Sequence, residues 1–206
     1  MIFDDVAAEA IRAFHDRTVR EPGWGKDDSP EFDAGVWRFI ERNHRCNVLL
    51  WLEEDQARRT DVADREIAAN KRAIDRYNQA RNDAIENIDE SLLSRPGGVR
   101  RRDDARRNSE TAGAIIDRLS ILSLKVFHMG LQTERRDASA EHVDTCRARL
   151  SRLTEQRRDL MESLDALLRE TAAGTAWFKI YRQFKMYNDP TMNPYLYGKG
   201  KNSEAP

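Results

Sequence analysis

The chain has 206 residues, and its 35 basic and 36 acidic side chains leave a net charge of −1, which removes the electrostatic case for general nucleic-acid binding. Hydrophobic residues make up 39% and charged residues 34%, with a mean hydropathy of −0.79, so the chain folds only if its apolar residues are concentrated on a few faces. Ten Gly and six Pro are too few for a turn-rich β-sandwich, and no run approaches the roughly 18 apolar residues of a membrane helix. The start, Met1-Ile2-Phe3-Asp4-Asp5, has no basic, apolar leader, so a cytoplasmic protein without a membrane segment is expected. Cys46 and Cys146 cannot form a disulfide framework or a zinc cage alone and read as reduced core residues.

The first predicted helix runs from about Asp4 to Val19, with Asp4 as its N-cap and Val6, Ala10, Ile11 and Phe14 on one face. Glu21-Pro22-Gly23-Trp24-Gly25 ends it. In a second helix, about Asp33 to Arg59, Trp37, Ile40, His44, Asn47, Trp51, Glu54 and Arg58 recur at spacings of three and four, a heptad stripe. A third helix starts at Thr60 or Asp61 and reaches Leu93, where Arg95-Pro96-Gly97-Gly98 terminates it. Its seam is Ile67, Lys71, Ile74, Asn78, Arg81, Ile85, Ile88 and Leu92. At about 1.5 Å per residue it spans roughly 50 Å, more than the roughly 33 Å diameter of a compact chain of this size, which predicts an elongated molecule.

Arg100, Arg101, Arg102, Arg106 and Arg107 then form a loop that could clamp a phosphate by bidentate hydrogen bonds, while the interspersed Asp103 and Asp104 favour a mobile, self-neutralising loop. A fourth helix, from Asn108 or Ser109 to about Arg136, is apolar nearly all round and is placed in the middle of the bundle. The fifth, about Ser139 to Ala173, carries Val143, Cys146, Leu150, Leu153, Arg157, Leu160, Leu164 and Leu167 in an unbroken three-four pattern and stops at Gly174. That seam is filled within the chain or by a second copy, so a homo-oligomer is among the expectations. A last short helix bears Trp177, Tyr181 and Phe184 on one face, Asp189-Pro190 ends it, and the tail from Asn193 folds back before a disordered end. The fold class is therefore all-α: an elongated antiparallel bundle of about five long helices plus a short C-terminal aromatic helix. Residues 1–188 form one domain, and 189–206 a partly disordered tail.

Polar residues stand where the period demands apolar ones: Lys71, Asn78 and Arg81 on the third helix, with Asn82 alongside. A buried amide without a partner costs on the order of 1 to 3 kcal/mol and a buried charge more, so these groups require partners, water or a ligand. Partners are offered by Glu110, Asp117, Arg118, Lys125 and His128 of the fourth helix and by Trp51-Leu52-Glu53-Glu54-Asp55 and Arg58 of the second. If the three helices meet, carboxylates, amides, guanidiniums and an imidazole converge beside an indole, the composition of a polar-ligand pocket. A self-satisfied network that sets helix register explains the same pattern, and both readings stand at this point.

Three stretches, LWLEEDQAR (Leu50 to Arg58), KRAIDRYNQARNDAIENID (Lys71 to Asp89) and ETAGAIIDRLSILSLKVFHM (Glu110 to Met129), resemble the signature segments of the bacterial family of unknown function DUF4254 and cover about a quarter of the chain. The resemblance implies an α-helical bacterial protein encoded near glycosyltransferases of surface-polysaccharide assembly, hence a partner protein of that pathway. It supplies no reaction, catalytic residue or cofactor. On those stretches the ligand-binding candidates are Trp51, Glu54, Asp55, Arg58, Asn78, Arg81, Asn82, Asp83, Asp117, Arg118, Lys125 and His128.

A ferritin-like dimetal site needs a carboxylate-x-x-His pair on two helices, and only Glu41-x-x-His44 is present; no metal site is expected. A magnesium-dependent phosphohydrolase could draw on Glu54, Asp55, Glu86, Asp89 and Asp117, whose spacing fits loosely. Three functions are expected: an anionic-metabolite binder, which the resemblance would place in surface-glycan or sugar-nucleotide metabolism, an oligomerising scaffold with buried ion pairs, and that hydrolase. In the first, Arg58, Arg81, Arg118 and Lys125 meet the anion, Asn78 and Asn82 hold hydroxyls or amides, Trp51 stacks, and His128 is the near-neutral acid-base group.

Overall fold

Apolar residues at helical spacing build six helices, α1 (Ala8–Thr18), α2 (Gly35–Gln56), α3 (Asp64–Leu93), α4 (Ala112–Thr133), α5 (Ala140–Ala172) and α6 (Pro194–Tyr197), in a computed structural model that describes residues 2–26, 29–95, 100–184 and 189–198. Two two-residue strands, β1 (Arg106–Arg107) and β2 (Ala176–Trp177), complete it. At 1.5 Å per residue the 30-residue α3 and the 33-residue α5 measure about 45 and 50 Å, so the bundle is elongated. α2 packs along α3 and α4 along α5, and α4 touches α1, α2, α3 and α5. The nearly all-apolar helix is thus the central one. Around it Ile11, Ile40, Ile88, Leu92, Ile116, Leu119 and Leu164 are enclosed almost completely. Cys46 and Cys146 are buried and free, as core residues.

α3 and α4 approach closely at Gly113 at the start of α4, where an added Cβ would lie 2.5 Å from the carbonyl oxygen of Ile85 on α3. Asp89 of α3 accepts the Gly113 N–H at 2.7 Å, while Thr111 caps α4 through the Ala114 N–H at 3.1 Å.

Several local expectations are corrected. Asp4 does not cap α1. The helix begins at Ala8, and the carboxylate that accepts its first N–H, at 3.0 Å, is Asp165 of α5, 157 residues away. On α1 Ala10 is exposed, while His15 and Thr18 are buried beside Ile11 and Phe14. α2 and α3 are shorter than their stripes: the chain leaves the helix after Gln56 and re-enters at Asp64, and Lys71 is an exposed side chain paired with Asp75 rather than a seam residue.

The largest correction concerns the predicted aromatic helix. After Gly174, whose φ of +74° ends α5, the chain turns extended, and Ala176–Trp177 pairs in parallel with Arg106–Arg107. The Arg106 and Asn108 N–H groups donate to the carbonyls of Thr175 and Trp177 at 2.9 and 2.8 Å. These bonds replace the helical ones that Trp177 would otherwise need. Trp177 is half-buried, whereas Tyr181 and Phe184 are exposed, so no common face exists. The arginine segment is accordingly held down from Arg100 to Arg107: Arg101 lies over the Trp177 ring at 3.8 Å and Arg106 pairs with Glu170. Self-neutralisation does occur, between Arg102 and Asp104. The breakers Pro96, Gly97 and Gly98 and the end of the tail, 199–206, lie outside the described residues.

Candidate functional site

Along the α2–α4 contact the heptad spacing places polar side chains of both helices opposite each other. Asn43 and Asn47 donate to the same Asp117 oxygen, each at 2.9 Å, and Asn47 also donates to the Ser120 hydroxyl at 3.0 Å. Ser120 is 2.7 Å from His44 Nδ1. The Ser120 hydroxyl thus links the Asn47 amide to the His44 ring. Arg81 of α3 brings its Nε to 3.8 Å from Asp117, a charge contact longer than a hydrogen bond. His44 stacks on His15 of α1 at 4.2 Å, and Arg157 of α5 reaches Asp16 of α1 at 2.7 Å. Burial holds the imidazole of His44 down at about 3, only partly offset by the nearby His15 backbone, and burial drives His15 well below the ordinary range too. Both rings are therefore neutral at physiological pH, and both His15 nitrogens lack a hydrogen bond among the described residues.

Two turns further along, the same seam opens to solvent. Trp51 and His128 stack with ring centroids 4.4 Å apart and planes 5° from parallel. They line a groove of about 620 Å³ between α2, α4 and α5, together with Asp55, Lys125, Arg149 and Arg152. Lys125, Arg149 and Arg152 are exposed and have no acid partner among the described residues. Met129 and Leu153 supply apolar wall. Partial burial lowers the pKa of His128, against a smaller opposing pull from Asp55. A stacked ring pair ringed by free cations suits a ligand with an anionic group and a flat or apolar part. Among the described residues no group of three His, Cys, Asp or Glu is placed to hold a metal ion. Glu41 and His44 serve different partners: Glu41 accepts the Glu31 and Phe32 N–H groups and binds Arg45.

The sequence profile of a family described as a protein of unknown function, DUF4254, matches residues 37–180, more than half of the chain. The chain belongs to the DUF4254 family. No curated protein and no solved structure matches it. The matched span contains α2 to α5, and with them both the ladder and the groove of this DUF4254 protein. α1, which contributes His15 and Asp16, lies before it.

The sequence candidates divide among several places in this DUF4254 fold. Trp51, Asp55, Lys125 and His128 share the groove, and Arg81 and Asp117 share the ladder. Glu54 and Arg58 pair with each other at the surface, and Asp83 faces solvent, where it accepts from Gln79. Arg118 pairs with Glu110 beside a second groove on α4 and α5. Asn78 is half-buried, and Asn82 is buried against a separate cavity beside Asp89. The single convergence of second, third and fourth helices is therefore split in two, because α5 replaces α3 as a wall of the open part. Asn43, Ser120, Arg149 and Arg152 were not among the candidates. Ser120 is legible in the sequence as one of the few polar groups of an otherwise apolar helix, though not as a site residue; Arg149 and Arg152 sit among the many charges of α5 and carry no local signal.

Proposed function

We propose that this protein binds an anionic metabolite, a phosphate ester or sugar nucleotide, in the groove between α2, α4 and α5. One observation carries the reading: three cations without acid partners, Lys125, Arg149 and Arg152, surround the Trp51–His128 stack. An anionic group is matched by the cations, and a base or sugar face by the indole. Asp55 disfavours an anion on its own side of the groove, which orients the ligand toward α5. The test is titration calorimetry with UDP-glucose and with inorganic phosphate, at low and at high salt. Saturable binding that weakens with salt is expected, and Lys125→Ala or Arg152→Ala should each raise Kd about tenfold, about 1.4 kcal/mol. Absence of saturable binding by both probes would overturn the reading.

A second reading, a structural or oligomerising scaffold, is favoured by the Asn43–Asp117–Asn47 ladder, which is enclosed and satisfied mainly from within. It predicts no response to either probe, and a stable dimer in sedimentation through the half-buried Val143, Leu150 and Leu153 of α5. The wider placement, a cytoplasmic accessory of bacterial surface-glycan assembly acting beside a glycosyltransferase, rests on the family resemblance. Co-purification with a glycosyltransferase of the same locus tests it.

A further inference from the structure

On the other side of α4, away from the cationic groove, Asn82, Ile85, Glu86 and Asp89 follow one another along a single face of α3 at helical spacing and line a cavity of about 440 Å³. Its opposite wall is Thr111 and Ala114 of α4, and Tyr181 and Gln183 cover its mouth. The cover is fastened from both directions: Arg182 reaches Glu86 and Glu90, and the Gln183 N–H donates to Glu86 at 3.0 Å. Asn82 is only 5% exposed, yet its amide makes no hydrogen bond to any described residue while it lines the cavity. Its hydrogen-bonding capacity is therefore open to whatever fills the cavity.

The charge here is opposite to that of the groove. Among the described residues no cation lines the cavity, and of its three carboxylates Glu86 is held by Arg182 and Glu110 by Arg118. Asp89 has no cationic partner among the described residues; it holds the Gly113 N–H and the Thr111 hydroxyl. Its burial, with a smaller contribution from Glu86, raises its pKa to about 6, and a cation beside it would lower that value again by favouring the carboxylate. Between Asn82 and Asp89, about 10 Å apart along the helix by rise alone, Ile85 and Ala114 make an apolar midsection.

We propose that this cavity binds a primary amine with a methylene spacer and a polar far end, its ammonium on Asp89, its chain on Ile85 and Ala114, and its far end on the Asn82 amide. The order carboxylate, apolar wall, amide matches the order ammonium, methylenes, hydroxyl. An anionic ligand is excluded by the surrounding carboxylates. The site is independent of the cationic groove and stands or falls separately from it.

The probe is 5-amino-1-pentanol, compared with 1,5-pentanediol, which has the same length and lacks the charge. The readout is the Asn82 side-chain amide pair in nitrogen-15 NMR of the full chain, assigned by its loss in Asn82→Asp. Saturable shifts with the amino alcohol, at least fivefold weaker with the diol and abolished in Asp89→Asn, are expected. Lys125→Ala should leave them unchanged. Should Asp89→Asn fail to fold, Ala114→Phe, which fills the apolar midsection, must abolish the shifts instead. Equal shifts with amine and diol would mean a water-filled cavity open to any hydroxyl and would overturn the proposal. So would no shift at all, or amine binding that survives Asp89→Asn.

Discussion

Trp51 and His128 lie face to face, 4.4 Å between centroids, at the point where the buried polar ladder of α2 and α4 opens into solvent. The stack makes His128 a reporter of the groove. Partial burial disfavours its charged form, so its titration midpoint, followed by the imidazole proton resonances, should fall below the ordinary histidine value near 6.5. An anion bound at Lys125 should move that midpoint upward, because negative charge nearby favours the imidazolium. A midpoint unmoved by saturating phosphate would separate His128 from the anion.

Asp117→Ala should destabilise the protein by about 3 kcal/mol or more. The change strands the buried Asn43 amide, leaves the Asn47 amide with Ser120 as its remaining cross-helix acceptor, and removes the counter-charge of the partly exposed Arg81. At about 2 to 4 °C per kcal/mol for a chain of this size, calorimetry should show Tm lower by about 6 to 12 °C. A loss under about 1 kcal/mol would mean that the ladder does not hold the helices in register.

Acid should unfold this protein early. His15 and His44 have folded-state pKa values below their unfolded value near 6.5, so the unfolded chain binds more protons than the folded one once the pH drops below that value. Stability present above about pH 6.5 is then lost on acidification, by up to about 1.4 kcal/mol per pH unit for each ring. Asp89 acts oppositely. Raised to about 6, it contributes stability that is fully present below its unfolded value of 3.8 and lost as pH rises through 6. Between pH 4 and 6 the net slope should therefore be close to one proton. His15→Phe, which removes two nitrogens without hydrogen bonds, should flatten it in denaturant titrations. An unchanged slope would show that His15 titrates normally.

Gly174→Ala should detach the arginine segment. The position has a φ of +74°, and the new Cβ would fall 2.4 Å from the Arg100 carbonyl oxygen, so both backbone strain and a clash oppose it. Stability should fall by about 1 to 3 kcal/mol. Amide exchange should lose protection at Arg102 and Arg106, which donate to Gly174 and Thr175 at 3.0 and 2.9 Å. Retained protection at both amides would mean that the segment is held by Trp177 and Glu170 instead.

How much of the candidate site was readable in advance depended on whether a signal was local. Trp51, Asp55, Lys125 and His128 stood out because they interrupt or border apolar stripes of their own helices, and all four reach the groove. Arg81 and Asp117 met for the same reason. Lys71 failed because it lies on the solvent side of α3, where it pairs with Asp75, although the adjacent Asn70 bonds Glu53 of α2; the period alone does not say which side of the helix meets a neighbour. Arg149 and Arg152 have no distinguishing neighbours in the sequence; only the placement of α5 across α4 brings them to the stack.

The linear order of residues alone determined that the chain is a bundle of five long helices, that the fifth stops at Gly174, and that the fourth is central, since hydrophobic period, a glycine stop and a fully apolar circumference are properties of one segment read by itself. The tertiary structure decided which polar groups share a space. That choice depends on how each helix is rotated about its axis and where it crosses the next, quantities set by packing between segments far apart in the chain. It sent Asp165 to the start of α1, put Trp177 in a strand instead of a helix, and divided one expected pocket into a closed ladder and an open cationic groove.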